Sequence, residues 1–229
     1  MQTTRHTPTL VRLTRLRAVN AFLVVEDDGL TLVDTMIARS QDGILAAARE
    51  LGAPIARIAI THAHGDHVGS LEALASALPR AEVLVSARDA RLLRGDKRLD
   101  PDEPQSKLRG GYPSLSVRLS RELGAGDRVG SLEVVPAPGH TPGQVAFLDT
   151  RDRTLIAGDA YSTLGGVATS AKPNPRFPLP GLATWDRPTA LRSARELRAL
   201  DPVRLAVGHG DVVERPRGAM DAAIAAAGG

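Results

Sequence analysis

The chain has 229 residues, 26 of them arginine and only three lysine, with a formal net charge of +3 and no cysteine. That length fills one sizeable core and would cramp two, so a single domain over 1–229 is expected. The missing cysteine excludes disulfides and thiolate ligands. No apolar run approaches a membrane span and the first thirty residues lack a signal-peptide core, so a cytoplasmic protein with no membrane partner is expected. Twenty-six acidic residues are interspersed among the basic ones. No basic block or helix face stands out, which argues against a nucleic-acid partner.

In chain order, a polar tail containing His6 leads to an alternating stretch over 10–17 that reads as a half-exposed strand. Asn20–Glu26 and Leu30–Val33 flank Asp27-Asp28-Gly29, a hairpin signal, and Asp34 ends that hairpin. A helix over 41–51, with Ile44, Ala48 and Leu51 at helical spacing, stops at Gly52 and Pro54. Strand 55–60, helix 69–78, strand 83–86 and a basic helix 87–94 follow. Residues 95–114, rich in proline, glycine and charge, read as a long surface loop, and 162–184 as a second one. Four of the six aromatics, Tyr112, Tyr161, Phe177 and Trp185, lie in or beside these loops, where they could wall an apolar pocket or merely anchor the loops. Between the loops, strands over 132–136, 144–149 and 154–157 form a meander. Helix 187–200, a strand ending near Val207 and an alanine-rich helix over 217–227 complete the chain.

The chemistry is concentrated in Thr61-His62-Ala63-His64-Gly65-Asp66-His67, directly after an apolar strand. Side chains two apart in an extended chain face the same way, so His62 and His64 share a face. Gly65 permits a sharp turn that brings Asp66 and His67 beside them. His140 in Ala137-Pro138-Gly139-His140-Thr141-Pro142-Gly143, Asp159 after Leu155-Ile156-Ala157-Gly158, and His209 in Gly208-His209-Gly210 each follow an apolar strand in the same way. Five of the six histidines therefore sit at strand ends, beside carboxylates and glycines. Imidazole and carboxylate are favoured ligands of zinc and similar ions, and such strand ends can converge on one rim of a sheet.

His62-x-His64-x-Asp66-His67, followed by His140, Asp159 and His209, resembles the metallo-β-lactamase fold superfamily. The likeness extends to Asn20-Ala21-Phe22-Leu23-Val24, Leu32-Val33-Asp34-Thr35 and the segment around His140, and it covers nearly the whole chain. The resemblance implies an α/β fold, an αββα four-layer sandwich of two mixed sheets with outer helices. It also implies two divalent metal ions, zinc first with iron or manganese as alternatives. His62, His64 and His140 would hold one ion, Asp66, His67 and His209 the other, and Asp159 would bridge them. Asp34 is placed to accept the free N–H of a ligating histidine.

With no cysteine nucleophile, nucleophile elbow or phosphate-binding glycine loop, the metal site has to supply the nucleophile. The expected activity is hydrolysis of a small acyl substrate, a lactone, ester or thioester, by a metal-bound hydroxide that Asp66 orients. True β-lactamases of this family lack the bridging aspartate that Asp159 provides. Hydrolases of the glyoxalase II type append a helical domain, whereas twenty residues follow His209 here. Lactonases of the acyl-homoserine type match in size and carry a tyrosine after the bridging aspartate. Tyr161 resembles it and is expected to assist at the carbonyl. The alternatives are a true β-lactamase, a mononuclear iron enzyme like the persulfide dioxygenases, or a non-catalytic binding protein.

Overall fold

A computed structural model describes residues 1–228. Four strands, β1 (Gln2–Arg5), β2 (Leu10–Arg15), β3 (Val19–Glu26) and β4 (Gly29–Val33), form an antiparallel meander. Helix α1 (Gln41–Glu50) then carries the chain over one face. β5 (Ile55–Ala59) returns parallel to β4 with Leu32 opposite Ile58. The short α2 (Gly65–Val68) and α3 (Leu71–Ala77) lead to β6 (Glu82–Ser86). α4 (Ala87–Leu93) and a long segment lead to β7 (Arg121–Leu123), and both new strands are parallel to their neighbours. The result is a seven-stranded mixed sheet in the order β1 to β7.

The second sheet begins as a meander of β8 (Arg128–Val129), β9 (Leu132–Pro136), β10 (Val145–Asp149) and β11 (Thr154–Ile156). A small hairpin, β12 (Tyr161–Ser162) with β13 (Ala168–Thr169), then α5 (Leu179–Leu182) and α6 (Arg187–Ala199), intervene before β14 (Arg204–Ala206) pairs parallel to β11. β15 (Val213–Glu214) closes this edge, and α7 (Arg217–Gly228) lies outside. Among the described residues, no helix is long and apolar enough to cross a membrane.

Period-two alternation along the strands divides the apolar residues into three layers. Ala21 and Leu23 of β3 pack with Ile44 of α1, Leu71 and Leu74 of α3, and Leu92 of α4. Phe22 and Val24 of the same strand point the other way, into a layer with Val134, Phe147 and Ile156 of the second sheet. The outer face of that sheet, with Leu155 and Leu205, meets Ala194 and Leu197 of α6 and Met220 of α7. These layers make the expected αββα sandwich.

β4 and β5 are parallel, as are β11 and β14, so Asp34, the 61–67 motif, Asp159 and His209 all emerge at strand C-termini on a common rim. Backbone bonds stitch the sheets together there. Val145 N donates to Thr61 O at 2.9 Å, and Asn20 N to Gly208 O at 2.9 Å.

Three expectations need correction. Residues 2–5 are not tail but an edge strand. Gln-Thr-Thr-Arg has no apolar face to reveal it, and its burial is slight. The long 95–114 loop continues to Ser120 without helix or strand, yet Leu108, Leu115, Val117 and Leu119 pack against the first core. The 162–184 segment, read as loop, contains β12, β13 and α5.

Phe147 is fully buried in the layer between the sheets. Phe147→Ala is expected to lower unfolding free energy by about 3–5 kcal/mol, read from urea denaturation. A loss below about 1 kcal/mol would show that the sheets do not close on this ring.

Candidate metal centre

β5 ends at Ala59, the chain bends at Thr61, and His64, extended at ψ 148°, caps the turn of α2 that carries Asp66 and His67. His140 arrives from the β9–β10 connection, Asp159 from the end of β11 and His209 from the end of β14. All seven predicted ligands meet. Donor atoms of His62, His64 and His140 lie within 4.8 Å of one another, as do those of His62, His67 and Asp159, and those of Asp66, His67 and His209. Asp159 lies between the two halves. Its carboxylate is 3.4 Å from His67 Nε2, 3.5 Å from His140 Nε2 and 3.2 Å from His209 Nε2.

Each imidazole is oriented by a partner on its outer nitrogen. His67 Nδ1 donates to Asp34 Oδ2 at 2.8 Å, and His209 Nδ1 to the Ala18 carbonyl at 2.9 Å. His64 Nε2 donates to the Arg109 carbonyl at 3.0 Å. The Thr61 hydroxyl spends its proton on Asp34, so it accepts from His62 Nδ1 at 3.0 Å. The Thr184 hydroxyl donates to a neighbouring carbonyl, so it accepts from His140 Nδ1 at 3.1 Å. With one N–H directed outward on every ring, the second nitrogen of each of the five turns inward, and it is bare wherever the ring is neutral. His64 Nδ1 and His140 Nε2 face each other at 2.9 Å. Two lone pairs at that distance repel unless a cation accepts both. His62 Nε2, His67 Nε2 and Asp159 Oδ1 are buried without any hydrogen-bond partner. The donor set fits metal ions.

The electrostatics divide the site in two. Burial, with the neighbouring histidines, pushes His62 well below the usual imidazole range, and burial lowers His64 as well. Burial with His64 brings His140 down to about 3. All three are neutral, the ligand form. Burial also opposes charge on His67 and His209, but carboxylates outweigh it. Asp159, Asp34 and Asp66 hold His67 well above its usual value, and Asp159 and Asp66 raise His209 to about 10. In return, against their own burial, Asp66 and Asp159 are held below the usual carboxylate range by His67 and His209.

Close approach explains two glycines. A Cβ on Gly208 would strike the Asp159 carboxylate and the His67 ring, and one on Gly110, at φ +84°, would strike the His64 ring. Gly110 and Gly111 bring the 95–120 segment over the motif, and Gly111 O accepts from Gly65 N at 2.9 Å. Tyr112 lies against His64 with ring centroids 4.7 Å apart, and Phe177 against His209 at 5.3 Å. A cavity of about 120 Å³ opens here, bordered by His64, Asp66 and His209 and roofed by Gly110, Leu179 and Pro180.

A model of the metallo-β-lactamase superfamily matches residues 14–209. The chain belongs to this superfamily. It is 46% identical over 207 residues to YobT of Bacillus subtilis (strain 168), covering 90% of this chain and 89% of that protein. It is 28% identical over 204 residues to the "probable metallo-hydrolase" YflN of the same strain, covering 81% and 76%. Among solved structures it resembles TTHA1623 in a di-iron-bound form, at TM-score 0.67 and 27% identity over 92% of this chain and 96% of that one. Proteins of the family bind metal ions.

Tyr161 requires a correction. It does not project toward the carboxylates. Its ring is fully buried in the outer layer with Ala194 and Leu197, and its hydroxyl donates to Ala194 O at 2.7 Å. Because β12 begins at Tyr161, Gly158 to Ala160 turn rather than extend, and the two-residue rule that would align it with Asp159 does not apply.

Sequence reasoning also passed over Asp89. It is fully buried in α4, and its carboxylate accepts from Ala63 N, Thr141 Oγ1 and Gly143 N, each at 2.8 Å. It thereby ties the backbone between His62 and His64 to the loop of His140. Burial raises its carboxyl to about 6 against the pull of those donors. With the folded value above the unfolded one, its contribution to stability is full at acid pH and is lost as pH rises through about 6. Asn20 was part of the family likeness but had no role. Its Nδ2 donates to Val207 O and Gly210 O at 2.9 and 2.7 Å, framing the His209 turn. No spacing signal announced either residue.

Asp89→Asn offers one oxygen where three donors converge. Stranding at least one is expected to lower stability by about 1–3 kcal/mol, and cation affinity should fall with it, both read from denaturation with and without added metal. Unchanged values would remove Asp89 from the frame of the site. Tyr161→Phe is expected to cost about 1 kcal/mol of stability and leave kcat unaltered. A fall in kcat with normal stability would restore it to the chemistry.

Proposed function

We propose that this protein is a two-metal hydrolase that opens lactones, esters or thioesters. The observation that carries the reading is the convergence of the inner nitrogens of five imidazoles with the carboxylates of Asp159 and Asp66 at one rim of the sandwich, with His62 Nε2, His67 Nε2 and Asp159 Oδ1 left without partners. In the assignment that the resemblance implies, His62, His64 and His140 hold one ion, Asp66, His67 and His209 the other, and Asp159 both. The di-iron form of TTHA1623 supports two ions and puts iron beside zinc as a candidate. When bound, two such ions polarise a carbonyl and lower the pKa of a shared water toward ~7.

The chain's own groups then divide the work. Asp159 is buried and held ionised, so it stays available to both halves as an acceptor. Asp66 is the member of the set with appreciable exposure, its side chain 38% accessible. It can accept a hydrogen bond from the attacking water and pass the released proton to the departing oxygen or sulfur. Leu179, Pro180 and Ala183 give the cavity an apolar side suited to an acyl group, while Gly110 and Gly111 leave room above His64. Tyr161 is not assigned a step.

Hydrolysis of lactones or thioesters should exceed that of β-lactams, because Asp159 stands where the lactamases have no bridging acid. Metal analysis of protein purified without chelators should find two ions per chain, and Asp159→Ala should lower ion content and turnover together. Dinuclear content with normal turnover in that variant would overturn the ligand assignment. One iron per chain, with oxygen consumed on a persulfide, would favour the redox alternative. Efficient β-lactam turnover alone would reverse the substrate ranking.

A further inference from the structure

Beside the metal cavity lies a second cleft of about 360 Å³, bounded by Ser106, Lys107 and Arg109 on one side and by Trp185, Asp186 and Arg187 on the other. The two hollows share their partition. Arg109 adjoins Gly110 and gives its carbonyl to His64, while Thr184, between Ala183 and Trp185, holds His140. The cleft is built rather than loose. Trp185 is buried, its N–H donates to His140 O at 3.0 Å, and its indole Nε1 donates to Ser106 O at 2.9 Å. Ser106 Oγ donates to Asp186 Oδ2 at 3.0 Å, and Asp186 Oδ1 accepts from Thr189 N at 3.0 Å. Both oxygens of the cleft's one carboxylate are thus occupied in fixing its own walls.

The cations are treated differently. Lys107, Arg109 and Arg187 are exposed, and among the described residues none of these side chains makes a hydrogen bond or ion pair. Arginines of α4 and of the segment after it are neutralised instead. Arg88 pairs with Glu103, Arg91 with Asp100, Arg94 with Glu122 and Arg98 with Asp96. Three free cations around a rigid polar cleft, one partition away from the ligating histidines, are an unused counter-charge.

We propose that this cleft binds a compact anionic group, a carboxylate or phosphate, on the substrate whose acyl bond is cleaved at the neighbouring metal centre. The proposal rests on the hydrolase reading and narrows its substrate class to acyl compounds with an anionic tail. Exposed cations act through screened charge, so the preference should weaken as salt shortens the Debye length from about 10 Å at 0.1 M to about 3 Å at 1 M.

The test compares thioesters that are neutral or carry a carboxylate, on the acyl side (butyryl against succinyl) or the leaving side (N-acetylcysteamine against N-acetylcysteine). One anionic member is expected to exceed its neutral match at least tenfold in kcat/KM, mainly through KM, and to lose that advantage in high salt. The ratio is read within each protein, so a general loss of activity cancels. It should collapse in Lys107→Gln/Arg109→Gln/Arg187→Gln and persist in the control Arg49→Gln/Arg80→Gln, which removes charge elsewhere. No preference in the wild type, or one that survives the triple variant, would overturn the proposal. If no thioester, ester or lactone is cleaved, the hydrolase reading fails by itself, and calorimetric titration of glutarate and of inorganic phosphate decides the cleft. Binding at least tenfold tighter to the wild type than to the triple variant supports it, and the tighter of the two ligands names the anion. Equal affinities refute it.

Discussion

Everything at the rim depends on the outward hydrogen bonds of five imidazoles. A neutral histidine has one N–H and one lone pair, so fixing the N–H on an outer acceptor decides where the lone pair points. Asp34, Ala18 O, Arg109 O and the hydroxyls of Thr61 and Thr184 provide those acceptors. Without them the rings could turn and satisfy one another. With them, bare nitrogens and carboxylate oxygens are held together in a buried space, where each unpaired group typically costs about 1–3 kcal/mol. The fold retains an arrangement that is unfavourable by itself, which is the behaviour expected of a site shaped for a cation.

That arrangement survives because both sheets brace it. Asp34 lies at φ +64°, a left-handed position that aspartate tolerates better than most residues. The turn aims its carboxylate at both Thr61 and His67. Asp89 joins the His62 segment to the His140 loop, and Asn20 frames the His209 turn. Each of these three polar side chains is itself buried, yet each is satisfied by backbone, hydroxyl or, for Asp34, imidazole partners. Buried polar networks of this kind stabilise a site when every member is satisfied and weaken it when one is lost.

The walls above the histidine and aspartate cluster come from segments that lack regular structure or have little of it. Gly110, Gly111 and Tyr112 close on His64, while Phe177 and Leu179 approach His209 from the opposite segment. Trp185 binds the two segments together through Ser106. None of the scarce aromatics lines the cavity itself, so they serve as anchors and packing rather than as its walls. Tyr112 and Phe177 touch site histidines, Trp185 anchors, and Tyr161 belongs to the core.

The architecture and the clustering of seven ligand-type side chains were legible along the chain. Strand ends carrying His62, His64, Asp66, His67, His140, Asp159 and His209 are local signals, readable because apolar periodicity and ligand spacing are properties of neighbouring residues. Strands β2 to β6, β9 to β11 and β14, the hairpin at Asp27–Gly29 and the long helices were legible for the same reason. Only the tertiary structure decided what depends on groups distant in the chain. Asp89 meets Ala63 and Gly143 across 26 and 54 residues, and Asn20 meets Val207 across 187, contacts that no periodicity encodes. The resemblance put Tyr161 beside Asp159, but the chain turns over Gly158 to Ala160 and the ring enters the outer layer against Ala194 and Leu197. β1 escaped notice because an edge strand with exposed faces needs no apolar alternation. Lys107, Arg109 and Arg187 carry no local signal, because only folding sets 107 and 109 opposite 187 across one cleft.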